Sequence, residues 1–410
     1  MTTQKRALIA LCILGSTMYL AGGITTPSIA YIIDSYPNVS AYTVSSLVTM
    51  PGIVALFASF FIGPLVMKFN KKYLLMTSVA ITLIYFAIFT LIGGRGPFAM
   101  LMVAAGLLGI HRGAGSALVN SIIGEYMPPE KRATSIALSG AIMQAGSGVI
   151  AIFAGFIAEG NGGADWPIAH NLGFVSIATL VIFAFLMPKR PDNVLPDVHT
   201  SSAVSETSVF KTIKNGFREI SPKAYVLMGL NFAFVLFVIS FNLYTSVYVI
   251  SEHELGTSVE AGLVNTLFTM SSILVGLSYV VWSKLFKNWI VPIGYMLSAL
   301  AFLIKIVFTT HIAGIWIASV ILSFGWNLSN PFMSSKIMSL APQKLIPVAI
   351  SIHLGFQNLA MFLSPYVLRV VGRLFGGGIN GALTSALIAI VICAFAALIM
   401  FVRGSKKEAV

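Results

Sequence analysis

The fold is decided by one apolar stretch, residues 98–124, which reads FAMLMVAAGLLGIHRGAGSALVNSIIG. A helix needs about 20 mainly apolar residues to cross a hydrocarbon core roughly 30 Å thick. This stretch meets that requirement and carries a single formal charge, on Arg112. It therefore predicts a membrane-spanning helix, and the same pattern recurs along the chain.

Twelve such apolar runs are separated by short polar interruptions. Their approximate limits are 7–33, 43–67, 72–93, 98–124, 133–157, 171–187, 224–250, 258–283, 288–309, 312–337, 346–370 and 381–403. The sequence therefore predicts an all-α membrane protein with twelve transmembrane helices.

The composition excludes several classes of protein. Hydrophobic residues make up 57% of the 410 residues and charged ones 9%, whereas a soluble domain has about 25% charged residues. We therefore expect neither a water-soluble enzyme nor any enzymatic activity. Cys12 and Cys393 lie inside the first and last runs, which excludes a disulfide framework or a thiolate metal site of usual spacing. No phosphate-binding loop of the GxxxxGK[ST] type occurs, so we expect no cofactor, no metal and no direct use of ATP.

The distribution of cations predicts the orientation in the membrane. With the N-terminus placed inside, inner loops contain all of the 25 Lys and Arg residues except Arg95, Arg112, Lys305, Arg369 and Arg373. The positive-inside rule then predicts a multi-pass protein of the inner (cytoplasmic) membrane with both termini in the cytoplasm. The net charge of +12 reflects this topology. We expect lipids and a small solute as partners, a monomer, and no nucleic acid.

The one long polar segment lies between the sixth and seventh runs. It predicts an N-terminal six-helix bundle (1–188), a cytoplasmic linker (189–223) and a C-terminal six-helix bundle (224–410). Within the linker, residues 209–220 place apolar side chains on one helical face and cations opposite. This pattern predicts either an amphipathic helix on the anionic inner leaflet or a solvated helix packed on inner loops.

A short motif separates the second and third runs. Residues 63–72 read GPLVMKFNKK. They are similar to the signature G-x-L-x-D-R-x-G-R-K of the major facilitator superfamily, which the chain resembles over its whole length. Gly63, Leu65, Lys68, Lys71 and Lys72 fit the signature, whereas Met67 stands at the acidic position and Asn70 at the second glycine. Residues 127–132, MPPEKR, also resemble the family's inner turn after the fourth helix.

The resemblance implies two six-helix bundles around a central cavity, moving solutes by rocking one bundle against the other. In that family the fitting residues of the motif have a gating role. The first, fourth, seventh and tenth helices line the cavity, and the fifth and eleventh adjoin them. The polar and aromatic residues that we expect there, apart from the cationic pair of the fourth run, are Tyr19, Gln144, Asn242, Tyr244, Trp326, Asn327, Asn330, His353 and Gln357. Each has the alternative role of an interhelical hydrogen bond.

The cationic pair His111 and Arg112 lies near the middle of the fourth run. All 13 acidic residues fall in loops or at the ends of runs, so Arg112 lacks an intramembrane acid to pair with. An ionisable group at this depth is costly and marks a functional site by default. Arg112 is therefore either the anchor of an anionic substrate or an interdomain clasp bound to carbonyls or amides. His111 is a titrating group or a packing residue. Lys305 and Lys336, near the ends of their runs, are expected to reach the interface and to have no role.

These observations predict a secondary active or facilitative transporter of a small organic anion, working by alternating access. Drug exporters of the resembling family typically carry Gly-Pro in the fifth helix, and the fifth run has no proline. An exporter of apolar or cationic compounds is the alternative, and a non-transporting sensor or scaffold is a remote one.

Overall fold

The computed structural model describes residues 2–188, 219–342 and 345–403, and all regular structure within these ranges is helical. We number the spans in chain order. They are Thr3–Gly15 with Leu20–Ser35, Ala41–Lys68, Lys71–Ile92, Phe98–Tyr126, Pro129–Glu159, Val175–Leu186, Pro222–Val238 with Ser240–Leu243 and Thr245–Val247, Ser258–Phe286, Ile290–Val307, Ile312–Ser339, Ile346–Gly372, and Gly378–Leu398. Two short helical turns, Trp166–Ala169 and His170–Phe174, lead into the sixth span.

The length and hydropathy of these helices suit a membrane. Ten segments of the described chain are long and apolar enough to cross one. One of the ten, Val259–Val307, contains both the eighth and the ninth span, and the second span contributes the shorter apolar segment Ser46–Ile62. The predicted fold class, an all-α membrane protein with twelve spans, is confirmed.

The two halves of the chain have largely separate buried cores. Spans one to six contribute two apolar clusters, one containing Leu118 and Ile123 and the other containing Phe86 and Phe89. Spans seven to twelve contribute a third cluster, which contains Tyr295 and is joined by Ala137 of the fifth span. Separate cores keep the halves as two six-helix bundles, because each bundle buries its own apolar surface.

The first span is broken, although its sequence predicts a continuous helix. The hydroxyls of Ser16 and Thr17 each donate to the carbonyl three residues earlier, at 2.8 and 2.9 Å. Such bonds compete with the helical ladder and bend it. Gly146 of the fifth span lies directly against the break, where an added Cβ would overlap the Ser16 carbonyl oxygen. The break therefore lets the first and fifth spans approach closely.

The seventh span is broken at Ile239 and Tyr244, and Lys305 of the ninth span fills the gap. Our prediction that Lys305 reaches the interface is wrong, because its side chain is 0% exposed. Its Nζ donates to the Phe241 carbonyl at 2.8 Å and to Thr245 Oγ1 at 3.0 Å. The break releases the Phe241 carbonyl from the helical ladder, and this carbonyl accepts from both the Thr245 hydroxyl, at 2.6 Å, and the ammonium. Lys336, in contrast, is exposed as expected.

Two pairs of spans make the most extensive contacts between the bundles, the fifth with the eighth and the second with the eleventh. In the first pair, Thr266 Oγ1 donates to the Gly148 carbonyl at 2.6 Å. In the second pair, Asn358 Nδ2 donates to Ser59 Oγ at 3.3 Å. We call these two contact regions the seams between the bundles, and a central cavity lies between them. The amphipathic segment expected at 209–220 lies almost wholly outside the described residues.

Candidate functional site

A cavity of about 300 Å³ lies between the bundles. It is lined by the first, fourth and fifth spans of one half and by the seventh, eighth, tenth and eleventh of the other. The predicted residues that reach it are Tyr19, Arg112, Gln144, Asn242, Trp326, Asn327, Asn330 and Gln357. Three predicted residues, His111, Tyr244 and His353, do not line it.

Arg112 lies in the middle of the fourth span and crosses to the other half. Its Nη2 lies 2.9 Å from the Met361 sulfur of the eleventh span. This is its one hydrogen bond to the part of the chain that the structure describes, and a thioether is a weak acceptor. The described lining residues include no Asp or Glu. The guanidinium therefore keeps most of its five donors available to a molecule in the cavity.

His111 has a different environment from its neighbour. Its ring is 1% exposed, with Nδ1 3.3 Å from Ser78 Oγ and Nε2 3.3 Å from the Met18 carbonyl oxygen. Adjacent residues point about 100° apart around a helix. Arg112 thus faces the cavity, whereas His111 joins the fourth span to the third and the first. This environment favours the interpretation of His111 as a packing residue.

Amide side chains form the wall of the cavity in the C-terminal half. Gln144 Nε2 donates across the bundles to Asn327 Oδ1 at 3.5 Å. Asn327 Nδ2 in turn donates to Ser272 Oγ at 2.8 Å. Gln357 Nε2 donates to Asn330 Oδ1 at 2.8 Å. These bonds fix the orientation of several amides and link the tenth span to the fifth, eighth and eleventh.

His353 and Tyr244 lie outside this lining. His353 is fully buried, and its Nε2 lies 3.3 Å from Ser334 Oγ and 3.4 Å from Gln357 Nε2. His353 therefore contacts Gln357, which lines the cavity, but does not line the cavity itself. Tyr244 lies at the second break of the seventh span. Trp326 does reach the cavity, and its ring lies 6.1 Å from that of Phe234 in a stacked arrangement.

Sequence reasoning missed several lining residues. Ser116 and Asn120 follow Arg112 at successive intervals of four, so they share its helical face, and this spacing was a usable signal. Asn265 and Thr269 lie on the eighth span, which the family resemblance does not place at the cavity. Tyr19 and Ser116 are joined by a hydrogen bond of 3.1 Å between their hydroxyls.

The motif after the second span has a structural role within the N-terminal bundle. Lys72 Nζ donates to the Ala184 carbonyl at 2.6 Å. Arg6 donates to the neighbouring carbonyls of Phe185 and Leu186 at 3.1 and 2.7 Å. The two cations thus bind the carbonyl end of the sixth span, where the helix dipole favours positive charge. Leu65 packs against the adjacent apolar cluster. The gating role of the motif stays a prediction.

Replacement of Lys72 by alanine is expected to lower the free energy of unfolding by about 0.3–1 kcal/mol, the usual contribution of a cation at a helix C-terminus. Arg6→Ala should have a similar effect, and the double variant should lose less than the sum if one cation takes over the carbonyls of the other. The thermal unfolding midpoint of detergent-purified protein measures both. Tyr73→Ala, an exposed neighbour of Lys72, is the control. An equal shift in this control would contradict the assignment.

The comparisons with known proteins agree with this architecture. No curated protein sequence matches the chain. The structure is similar to the crystal structure of the human organic anion transporter MFSD10 (TETRAN), with a TM-score of 0.73 and 12% sequence identity, over 97% of this chain and 100% of that one. The profile of the Major Facilitator Superfamily matches residues 11–365. The chain therefore belongs to the Major Facilitator Superfamily, a family of membrane transporters of small molecules.

Proposed function

We propose that this protein is a secondary transporter of a small organic anion and that Arg112 anchors the substrate. The observation that carries the proposal is the environment of the guanidinium. It faces a polar cavity between two bundles, its one hydrogen bond to described residues goes to a thioether, and none of the described lining residues is acidic. A carboxylate or phosphonate would supply the missing counter-charge through the bidentate geometry that guanidinium favours.

The electrostatics favour an anion over other solutes. Two opposite charges 4 Å apart attract each other by about 4 kcal/mol at an effective dielectric constant of 20. Arg112 would repel a cation at the same distance by the same energy, and the described lining offers no carboxylate to offset this repulsion. An exporter of cationic compounds therefore ranks second. The relative MFSD10 is described as an organic anion transporter. At 12% identity that likeness concerns the fold, so the anion proposal rests on Arg112.

Alternating access would move residues 1–188 against 224–410, with 189–223 as the linker. The seams between the fifth and eighth and between the second and eleventh spans flank the cavity, so rocking about them would expose it to each side in turn. The distribution of Lys and Arg supports placing both termini in the cytoplasm. Without a carboxylate in the described lining, exchange, facilitated diffusion or anion symport is favoured over carboxylate-based proton antiport.

The test is a ligand screen by thermal unfolding of detergent-purified protein. The screen contains mono- and dicarboxylates, phosphonates, sugars and organic cations, and it includes Arg112→Gln and Arg112→Lys. A ligand at 100 times its Kd adds about 2.7 kcal/mol to the native state. We expect anions alone to raise the midpoint of the wild type and Arg112→Gln to lose the shift. Arg112→Lys, which keeps the charge but loses the planar fork, should retain part of it.

Two results would overturn the proposal. If cations or neutral compounds stabilise wild type and Arg112→Gln equally, the exporter function takes first place and Arg112 becomes a clasp between the bundles through Met361. If anions raise the midpoint of Arg112→Gln as much as that of the wild type, the anion site lies elsewhere.

A further inference from the structure

The cavity contains far more hydrogen-bonding capacity than one anionic group requires. The part of its lining that the structure describes includes eight carboxamide side chains, together with several hydroxyls and a single cation. A carboxylate bound to Arg112 uses acceptor oxygens only. The amides are therefore left for the rest of the solute, and their chemistry restricts what that part can be.

Three of the amides are available to a ligand. Asn120, Asn242 and Asn265 line the cavity from the fourth, seventh and eighth spans, and among the described residues none of their side chains has a hydrogen-bond partner. Other lining amides are already paired, such as Gln357 with Asn330 at 2.8 Å. The fold thus orients one set of amides against each other and leaves a second set facing the solute.

The positions of the available amides define a second subsite. Asn120 is eight residues from Arg112 on the same helical face, about 12 Å along the axis at 1.5 Å per residue, which is farther than a sugar-sized solute bound to Arg112 extends. Asn242 and Asn265 approach from the opposite bundle. The solute body would therefore lie between the halves, with its charged end on Arg112 of one bundle and its remaining atoms against Asn242 and Asn265 of the other.

The chemistry of this subsite matches hydroxyl groups. A carboxamide offers two donors and an acceptor with two lone pairs, and a hydroxyl is both a donor and an acceptor. An alkyl or aromatic body would cover the same amides and leave them unsatisfied, which is the usual reason why a polar site rejects an analogue that lacks a hydroxyl. A volume of about 300 Å³ lies at the lower end of the range for small-molecule sites, about 300–1,000 Å³, which suits a solute of sugar size.

We propose that the substrate is a polyhydroxylated monocarboxylic acid of sugar size, with its carboxylate on Arg112 and its hydroxyls on Asn242 and Asn265. This substrate class presupposes the anion transport proposed above and adds the identity of the solute body. One cation in the described lining balances one negative charge, which favours a monocarboxylate over a sugar phosphate.

The experiment compares four ligands of similar length by isothermal titration of the detergent-purified full chain: D-gluconate, hexanoate, sorbitol and glucose 6-phosphate. We expect D-gluconate to bind about tenfold or more tightly than each of the others. Hexanoate lacks the hydroxyls, sorbitol lacks the charge, and the phosphate carries excess charge. This comparison uses the wild type alone, so it does not depend on the folding of a variant.

Two variants then locate the hydroxyl subsite. Asn242→Leu and Asn265→Leu should each weaken D-gluconate binding about tenfold and leave hexanoate binding unchanged. Asn380→Leu, an exposed residue at the start of the twelfth span, is the matched control and should change neither. Thermal unfolding without ligand checks that each variant is folded.

The outcomes separate this inference from the proposed function. If hexanoate binds as tightly as D-gluconate and Arg112→Gln abolishes both, the anion transporter stands and the hydroxylated substrate is wrong. Tighter binding of glucose 6-phosphate than of D-gluconate would also overturn the monocarboxylate. If sorbitol binds as tightly as D-gluconate and Arg112→Gln changes neither, the proposed function fails as well.

Discussion

Replacement of Lys305 by alanine is expected to lower the free energy of unfolding by about 2–5 kcal/mol, the range observed when a long buried side chain is truncated. The side chain is fully buried. Its Nζ donates to the Phe241 carbonyl and to Thr245 Oγ1, and it lies 4.3 Å from the centroid of the Phe241 ring. Truncation removes these contacts at the break of the seventh span and leaves a cavity. The midpoint of thermal unfolding in detergent measures the loss.

Lys305→Met separates packing from charge. Replacement of buried charged groups by apolar residues of similar volume is often neutral or stabilising, because the cost of desolvating the charge disappears, and the Thr245 hydroxyl would still donate to the Phe241 carbonyl. We therefore expect the methionine variant to unfold near the wild-type midpoint. The control is Lys284→Ala, an exposed lysine at the end of the eighth span. If methionine is as destabilising as alanine, the ammonium bonds to the broken helix carry the stability and the packing argument is wrong.

The break that Lys305 fills marks a limit of sequence-based prediction. The fourth and tenth spans, Phe98–Tyr126 and Ile312–Ser339, lie within two residues of the runs expected from hydropathy, since each is one continuous apolar run long enough to cross a bilayer. The breaks in the first and seventh spans depend on partners distant in sequence, Gly146 and Lys305. The hydroxyls of Ser16 and Thr17 are a local signal for the first break, but no local pattern identifies either distant partner, and so these spans were expected to be continuous.

The candidate site, like the helices, was predictable only in part from the sequence. Arg112 stands out because an ionisable residue in an apolar run is rare, and Asn120 shares its helical face by spacing. The orientation of adjacent residues is harder to predict, because nothing in the sequence indicates whether Arg112 or His111 faces the cavity. Asn265 lies on a span that the family resemblance does not place at the cavity, so its exposure there required the tertiary structure.

Close packing between the bundles should make Gly148 intolerant of even one methyl group. A Cβ at Gly148 would overlap Thr269 Oγ1 and lie 2.7 Å from Thr269 Cβ. Thr269 Oγ1 also donates to the Thr266 carbonyl at 2.8 Å, so rotating it away breaks a buried bond. We expect Gly148→Ala to cost about 1–3 kcal/mol of stability, as overpacking usually does. The unfolding midpoint and the rate of solute uptake into proteoliposomes should both fall, because the fifth and eighth spans must separate.

A matched variant removes the contribution of helix propensity, since alanine favours a helix over glycine by about 1 kcal/mol. Gly229 of the seventh span is exposed, and an added Cβ there meets nothing within 4 Å. The difference between Gly148→Ala and Gly229→Ala therefore reports packing alone.

Thr269→Gly should rescue Gly148→Ala, because it deletes every Thr269 atom that the new methyl would meet. The coupling in this double-mutant cycle should reach about 0.5–3 kcal/mol. Additive effects would mean that the two residues do not meet and that the seam between the bundles lies elsewhere. A coupled pair would instead place the contact between the halves at the level of the cavity, where Thr269 also lines the wall. A substitution in this contact between the fifth and eighth spans would then alter the binding site directly.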